Sequence, residues 1–199
     1  MRFLIASCLL VVVMSVPVFA DESDPNQYFD SGNAHFNEGQ YPKAIADYTK
    51  AVDLVPSFAQ AYCNRGLAYY KTGKYDRAIA DYTAAIKNGY TEVSVYNSRA
   101  LAYLRKEQYG YAIEDYSKVI ELSPRNAEAY YNRGIAYANN SQPDEAITDY
   151  NKALEIKPGD MNAYASRGVA YVRKAIVDFR RACELGSKTA CENLKQVEK

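Results

Sequence analysis

The sequence predicts an all-α solenoid, a stack of antiparallel helix pairs, and three observations carry that reading. Tyr28, Tyr62, Tyr96, Tyr130 and Tyr164 fall 34 residues apart. Ala44, Ala78, Ala112 and Ala146 keep the same step, and so do Tyr48, Tyr82, Tyr116 and Tyr150. A fixed period of that size means one supersecondary unit repeated in a row, each unit burying its apolar face against its neighbours. Arrays of this kind mostly present binding surfaces, which lowers the expectation of catalysis.

The N-terminal end is set apart by composition. After Met1-Arg2, the stretch from Phe3 to Val16 is apolar except for two serines and Cys8, and Pro17-Val18-Phe19-Ala20 leads into Asp21-Glu22-Ser23-Asp24. This is the layout of a cleaved secretory signal over residues 1–20, cut after Ala20, followed by a short acidic linker over 21–24. An uncleaved membrane anchor is the alternative, because about 18 apolar residues just span a bilayer. Ile5-Ala6-Ser7-Cys8 looks like a lipid-attachment box, but only Phe3 and Leu4 precede it as apolar core. Export puts the chain in the periplasm or outside the cell, an oxidising setting, with Cys63, Cys183 and Cys191 remaining. Basic and acidic side chains balance at 24 each, which leaves no electrostatic footprint for nucleic acid or an anionic membrane surface.

Aligned on the period, the units run over 25–58, 59–92, 93–126 and 127–160. Each opens with a helix carrying Tyr at its fourth position, a small residue at its eighth (Gly32, Gly66, Ala100, Gly134, Gly168) and Tyr or His at its eleventh. The 4-8-11 spacing is one helical face, and the small residue lets the second helix approach closely. A turn follows at Gly39-Gln40-Tyr41, Gly73-Lys74-Tyr75, Glu107-Gln108-Tyr109 and Ser141-Gln142-Pro143. The second helix begins with Ala-Ile and is stopped by Pro56, Pro124 or Pro158, or by Gly89 in the second unit.

On these residues the chain resembles the tetratricopeptide repeat family over nearly all of its length beyond the signal. The resemblance implies a right-handed superhelix with a concave face lined by the first helices. Arg65, Arg99, Arg133 and Arg167 at the seventh position, with Asp47, Asp81, Asp115 and Asp149 at the twenty-third, predict a ladder of part-buried ion pairs between helices. A charged binding stripe is the other reading of the same residues.

The fifth unit, over 161–186, departs from the pattern. Tyr171 is followed at once by Lys174-Ala175-Ile176, then Phe179 and Ala182, so the five residues that make the turn in earlier units are missing. Tyr164, Gly168, Tyr171, Ala175, Phe179 and Ala182 form one apolar stripe, which predicts a single helix over 162–185 with surface left for a partner or a second copy. A tightened hairpin ending the array is the alternative. Beyond it, Arg181-Ala182-Cys183-Glu184-Leu185-Gly186 and Ala190-Cys191-Glu192-Asn193-Leu194 are similar to Sel1-like repeat proteins. That likeness implies a Cys183–Cys191 disulfide joining adjacent helices, with a capping helix over 187–199 started by Ser187. Two cysteines without a nearby histidine do not complete a tetrahedral zinc site.

No residue pattern points to chemistry. His35, the single histidine, stands where other units have tyrosine and reads as a packing substitute. No phosphate-binding loop, nucleophile triad or metal motif is present in the sequence, and neither enzyme activity nor a cofactor is expected. Projected from the family's groove positions, the binding residues are Asn33, Phe36, Asn64, Leu67, Tyr70, Lys71, Asn97, Leu101, Arg105, Tyr131, Asn132 and Asn139. Amides that both donate and accept suit the backbone of an extended peptide, and aromatic neighbours supply anchors. The lysines and arginine that family members use to clamp a C-terminal carboxylate are replaced here by Phe29, Ser94 and Ser98. The expected partner is therefore a protein, held through an internal peptide or a helix. The second reading is a structural spacer or assembly factor in the cell envelope, acting through the convex face or the C-terminal helix.

Overall fold

A computed structural model describes residues 24–197, and among them every regular element is a helix. The helices are α1 (Pro25–Asn37), α2 (Tyr41–Leu54), α3 (Ala59–Lys71), α4 (Tyr75–Lys87), α5 (Val93–Arg105), α6 (Tyr109–Leu122), α7 (Ala127–Asn139), α8 (Pro143–Ile156), α9 (Met161–Glu184) and α10 (Lys188–Val197). Each helix packs on the one before and the one after, and among the first helices α1 also touches α3, α3 touches α5, and α7 touches α9. The result is an all-α solenoid, with first helices lining one side and second helices the other. The expected signal, residues 1–20, lies outside the described residues.

Close approach of the paired helices depends on the small residue at the eighth position. A Cβ placed on Gly32 would sit 2.6 Å from Tyr48 Cε1, one on Gly66 2.9 Å from Tyr82 Cε1, and one on Gly134 2.6 Å from Tyr150 Cε1. The tyrosine ring thus occupies the volume that glycine vacates, and Tyr48, Tyr82, Tyr116 and Tyr150 are the largest fully buried side chains, set among small alanines. The ends of the second helices follow from proline, with α2, α6 and α8 stopping two residues before Pro56, Pro124 and Pro158. The tight turns between helices require a left-handed residue, supplied by Gly39 and Gly73 in the first two units. Glu107 (φ 58°) and Ser141 (φ 62°) hold the same place in the next two, at the steric cost an L side chain incurs there.

An ion-pair ladder stitches the layers together. Arg65, Arg99 and Arg133 each grip an aspartate sixteen residues on (Asp81, Asp115, Asp149) through Nε and Nη2 at 2.7–2.8 Å. Their Nη1 groups donate to Thr49, Thr83 and Ser117 on the preceding second helix. Each guanidinium also faces the unit's fourth- and eleventh-position tyrosines at 5.3–6.0 Å. In the first unit Ser31 replaces arginine, and Asp47 is met by Ser31 Oγ and His35 Nδ1, both at 2.7 Å.

The helix α9 passes without a break through the place where every earlier unit turns. Its start is capped by Asp160, which accepts from the amides of Asn162 and Ala163. The chain then reverses at Gly186, and Ser187 Oγ accepts from the Ala190 amide to begin α10. Cys183 and Cys191 are paired across this turn with Cα atoms 4.8 Å apart, a separation that a disulfide spans.

Candidate functional site

The face lined by the first helices carries three depressions in a row. Asn33, Phe36, Asn64 and Leu67 converge around the first, with Asn37 and Tyr48. Leu101, Arg105, Asn132 and Asn139 meet around the second, with Leu104, Glu107, Tyr109 and Ile135. Between them Tyr70 links the units, accepting from Arg105 Nε at 3.3 Å while its ring lies 5.4 Å from that of Tyr75. Asn97 stands apart from both. It lines a depression at the starts of α5 and α7 with Glu92, Ser94, Asn126 and Glu128. Tyr131 packs on Tyr150 at 5.9 Å and its hydroxyl is 3.4 Å from Ser166 Oγ, so it forms floor rather than rim. Lys71 is exposed at the end of α3.

The third depression is lined by only one of the groove residues projected from sequence, Asn139. It lies between α7 and α9 and is lined by Ile135, Ala138, Asn139, Tyr150, Ser166, Val169 and Arg173. The repeat register contains the signal for it. Ser166, Val169 and Arg173 occupy the positions of Asn132, Ile135 and Asn139 one unit earlier.

Not all of the amides are free to hold a ligand. Asn33 Oδ1 accepts from both Tyr48 Oη and Asn64 Nδ2, each at 2.8 Å, so part of this pair's capacity holds the first two units together. The equivalent of Asn33 is Leu67 in the second unit and Leu101 in the third. Behind them, the buried hydroxyls of Tyr82 and Tyr116 have no hydrogen-bond partner among the described residues. The Ser98 side chain lies beside Tyr82 but outside hydrogen-bond geometry.

Burial pushes the phenols of Tyr48 and Tyr150 up to about 12, and those of Tyr82 and Tyr116 higher still. All four are neutral donors at physiological pH. Cys63 is unpaired and part-buried, and burial, then the carboxylate of Glu92, raise its thiol to about 11. It is a thiol rather than a thiolate and a poor nucleophile. Among the described residues no cluster of histidine, cysteine or carboxylate could hold a metal ion, and no helix is long and apolar enough to cross a membrane. The three depressions offer hydrogen-bonding and packing groups along one face.

Two tetratricopeptide models match the sequence. One, described as TPR repeat, matches residues 32–73 and 100–141, and the other, described as tetratricopeptide repeat, matches 59–88 and 127–160. No curated protein matches in sequence. Among solved structures, the chain is similar to the MamA protein, with 26% identity, a TM-score of 0.74, and coverage of 89% of this chain and 91% of that one. It is also similar in fold to YrrB, a TPR protein with an unusual peptide-binding site, with 24% identity, a TM-score of 0.71 and coverage of 89% and 86%. The first TPR of Spaghetti (RPAP3), bound to the HSP90 peptide SRMEEVD, matches with 29% identity and a TM-score of 0.54 over 57% of this chain and 90% of that one.

Proposed function

The chain belongs to the tetratricopeptide repeat family, and on that premise we propose that it is a non-catalytic, exported scaffold that holds a peptide or helical segment of a partner protein against its first helices. The observation that carries this reading is the alignment of three depressions on one face, lined by amides, short aliphatic side chains and tyrosines. Such a lining bonds to backbone and accepts apolar side chains, and its linear layout matches an extended or helical ligand better than a compact metabolite. The Spaghetti TPR bound to an HSP90 peptide supports a peptide as the ligand class, and the peptide-binding site named for YrrB agrees with it. An acidic C-terminal tail is disfavoured here. Phe29, at one of the clamp positions, packs on Phe58 and Tyr48 at 5.0 and 5.9 Å, and Ser94 and Ser98 offer no charge.

Export rests on the signal-like residues 1–20, and it would supply the oxidising setting in which a Cys183–Cys191 disulfide persists. The similarity of this C-terminal end to Sel1-like proteins belongs to the same reading, as does self-association through 162–185. The spacer role is the second reading, favoured by the exposed apolar side chains of α9. Selection of binding peptides from a random library, followed by calorimetry with Asn132→Ala/Asn139→Ala and with a convex-face Lys152→Ala variant, separates the two. Groove binding predicts an affinity loss of at least about tenfold for the first variant alone. Failure to select any peptide, or equal loss in both variants, would move the function to α9 and the convex face.

A further inference from the structure

The fifth unit carries both halves of a repeat but does not join them. In the first, second and fourth units the glycine of the first helix is covered by the tyrosine sixteen residues on, while Gly168 has nothing within 4 Å of where its Cβ would be. On either side of it Tyr164 and Tyr171 are each 50% exposed, whereas their counterparts in the other units are part-buried. Arg167 keeps the register. Its Nη1 donates to Asn151 at 2.6 Å and its guanidinium lies 5.2 Å over Tyr164, but among the described residues Nε and Nη2 find no aspartate.

The missing partners are present further along the same helix. Every second helix reads Ala-Ile-x-Asp-aromatic-x-x-Ala or Val, as in Ala146-Ile147-Thr148-Asp149-Tyr150-Asn151-Lys152-Ala153. The second half of α9 repeats it as Ala175-Ile176-Val177-Asp178-Phe179-Arg180-Arg181-Ala182. In an unbroken helix Asp178 stands three turns from Arg167, about 16 Å along the axis, and cannot reach it.

We propose that a second copy of this chain closes the fifth unit by exchange: residues 175–182 of each copy lie antiparallel on the Arg167–Gly168 socket of the other. Asp178 then meets the partner's Arg167 and Phe179 covers the partner's Gly168, in the pairing that Asp149 and Tyr150 make within the fourth unit. The two pairings are related by a two-fold axis near residue 173, so both form at once and the contact is self-complementary. Val172 and Ala175 sit near that axis, while the nearby Lys174 and Arg173 are engaged within their own chain, by Asp144 and by the Ala138 carbonyl. Loss of the turn that would let the helix fold back is what makes exchange the available closure. This deepens the self-association part of the proposed function and is independent of what the groove binds.

Sedimentation equilibrium of residues 21–199 at micromolar concentration tests the exchange, with helicity checked by circular dichroism. The parent chain is expected to be a dimer. Arg167→Asp sets two acidic groups against each other and Asp178→Arg two basic ones, so each variant alone is expected to dissociate at least about tenfold more readily. Mixed in equal amounts, the two variants complement each other and the dimer returns. An intramolecular hairpin gives no such restoration, so variants that stay monomeric on mixing overturn the proposal. A dimer insensitive to both variants overturns the exchange but leaves self-association standing, and a monomeric parent overturns both.

Discussion

In the fourth unit Arg133 holds Asp149 and Tyr150 lies over Gly134, whereas in the fifth Arg167 and Gly168 occupy the same places on α9 without either partner. The two units share their sequence code and differ by five residues of turn. That difference separates what the code does from what the connection does. The same arginine and glycine stabilise where a second helix can return, and where it cannot they become an unfilled surface.

Breaking the ion pair gives the largest contrast. Arg133→Ala leaves Asp149 buried without a cation and is expected to cost about 3 kcal/mol. Arg167→Ala, removing a part-buried group hydrogen-bonded only to Asn151 among the described residues, should cost under about 1 kcal/mol in the monomer. Chemical denaturation at low protein concentration reads both. Equal losses would mean that Arg167 is paired within its own chain.

The glycines sharpen the contrast by changing its sign. Gly134→Ala forces a methyl against the Tyr150 ring, where the added atom would start 2.6 Å away, and should cost about 2 kcal/mol. Gly168→Ala meets open space in the monomer and should gain up to about 1 kcal/mol from helix propensity. Thermal unfolding of the two variants gives the comparison directly.

Smaller effects test how well each interior unit is satisfied. Tyr48→Phe removes a hydroxyl bonded to Asn33 and should cost about 1 kcal/mol, while Tyr116→Phe removes a buried hydroxyl with no partner and should be neutral or stabilising. Glu107→Gly relieves a left-handed backbone at φ 58° and should gain about 0.5 kcal/mol in denaturant unfolding.

Most of the fold was legible because the 34-residue step repeats packing requirements, and packing requirements name residues. Arginine facing aspartate was legible from spacing in the interior units, while Asp47 and Arg167 at the two ends meet other residues, and the tyrosine that covers each glycine emerges only in the structure. The site was only partly legible. Asn33 and Asn64 read as ligand-binding amides, and the bond between them depends on two helices meeting at one distance, which composition does not encode. The groove's extension over Ser166, Val169 and Arg173 was within reach of the register but was obscured by the irregularity of the fifth unit. The unpaired hydroxyls of Tyr82 and Tyr116 lie behind Leu67 and Leu101, which stand where the first unit has Asn33, and that relation appears only once the tyrosine is seen behind it.

As one helix throughout, α9 leaves the fifth unit open within the chain. Backbone chemical shifts of residues 170–177 in the 21–199 chain test it most directly. Helical Cα and carbonyl shifts at every position from Ala170 to Val177 are the predicted result. A non-helical run at 172–175, with nuclear Overhauser contacts from Phe179 to Gly168 within a monomer, would contradict it.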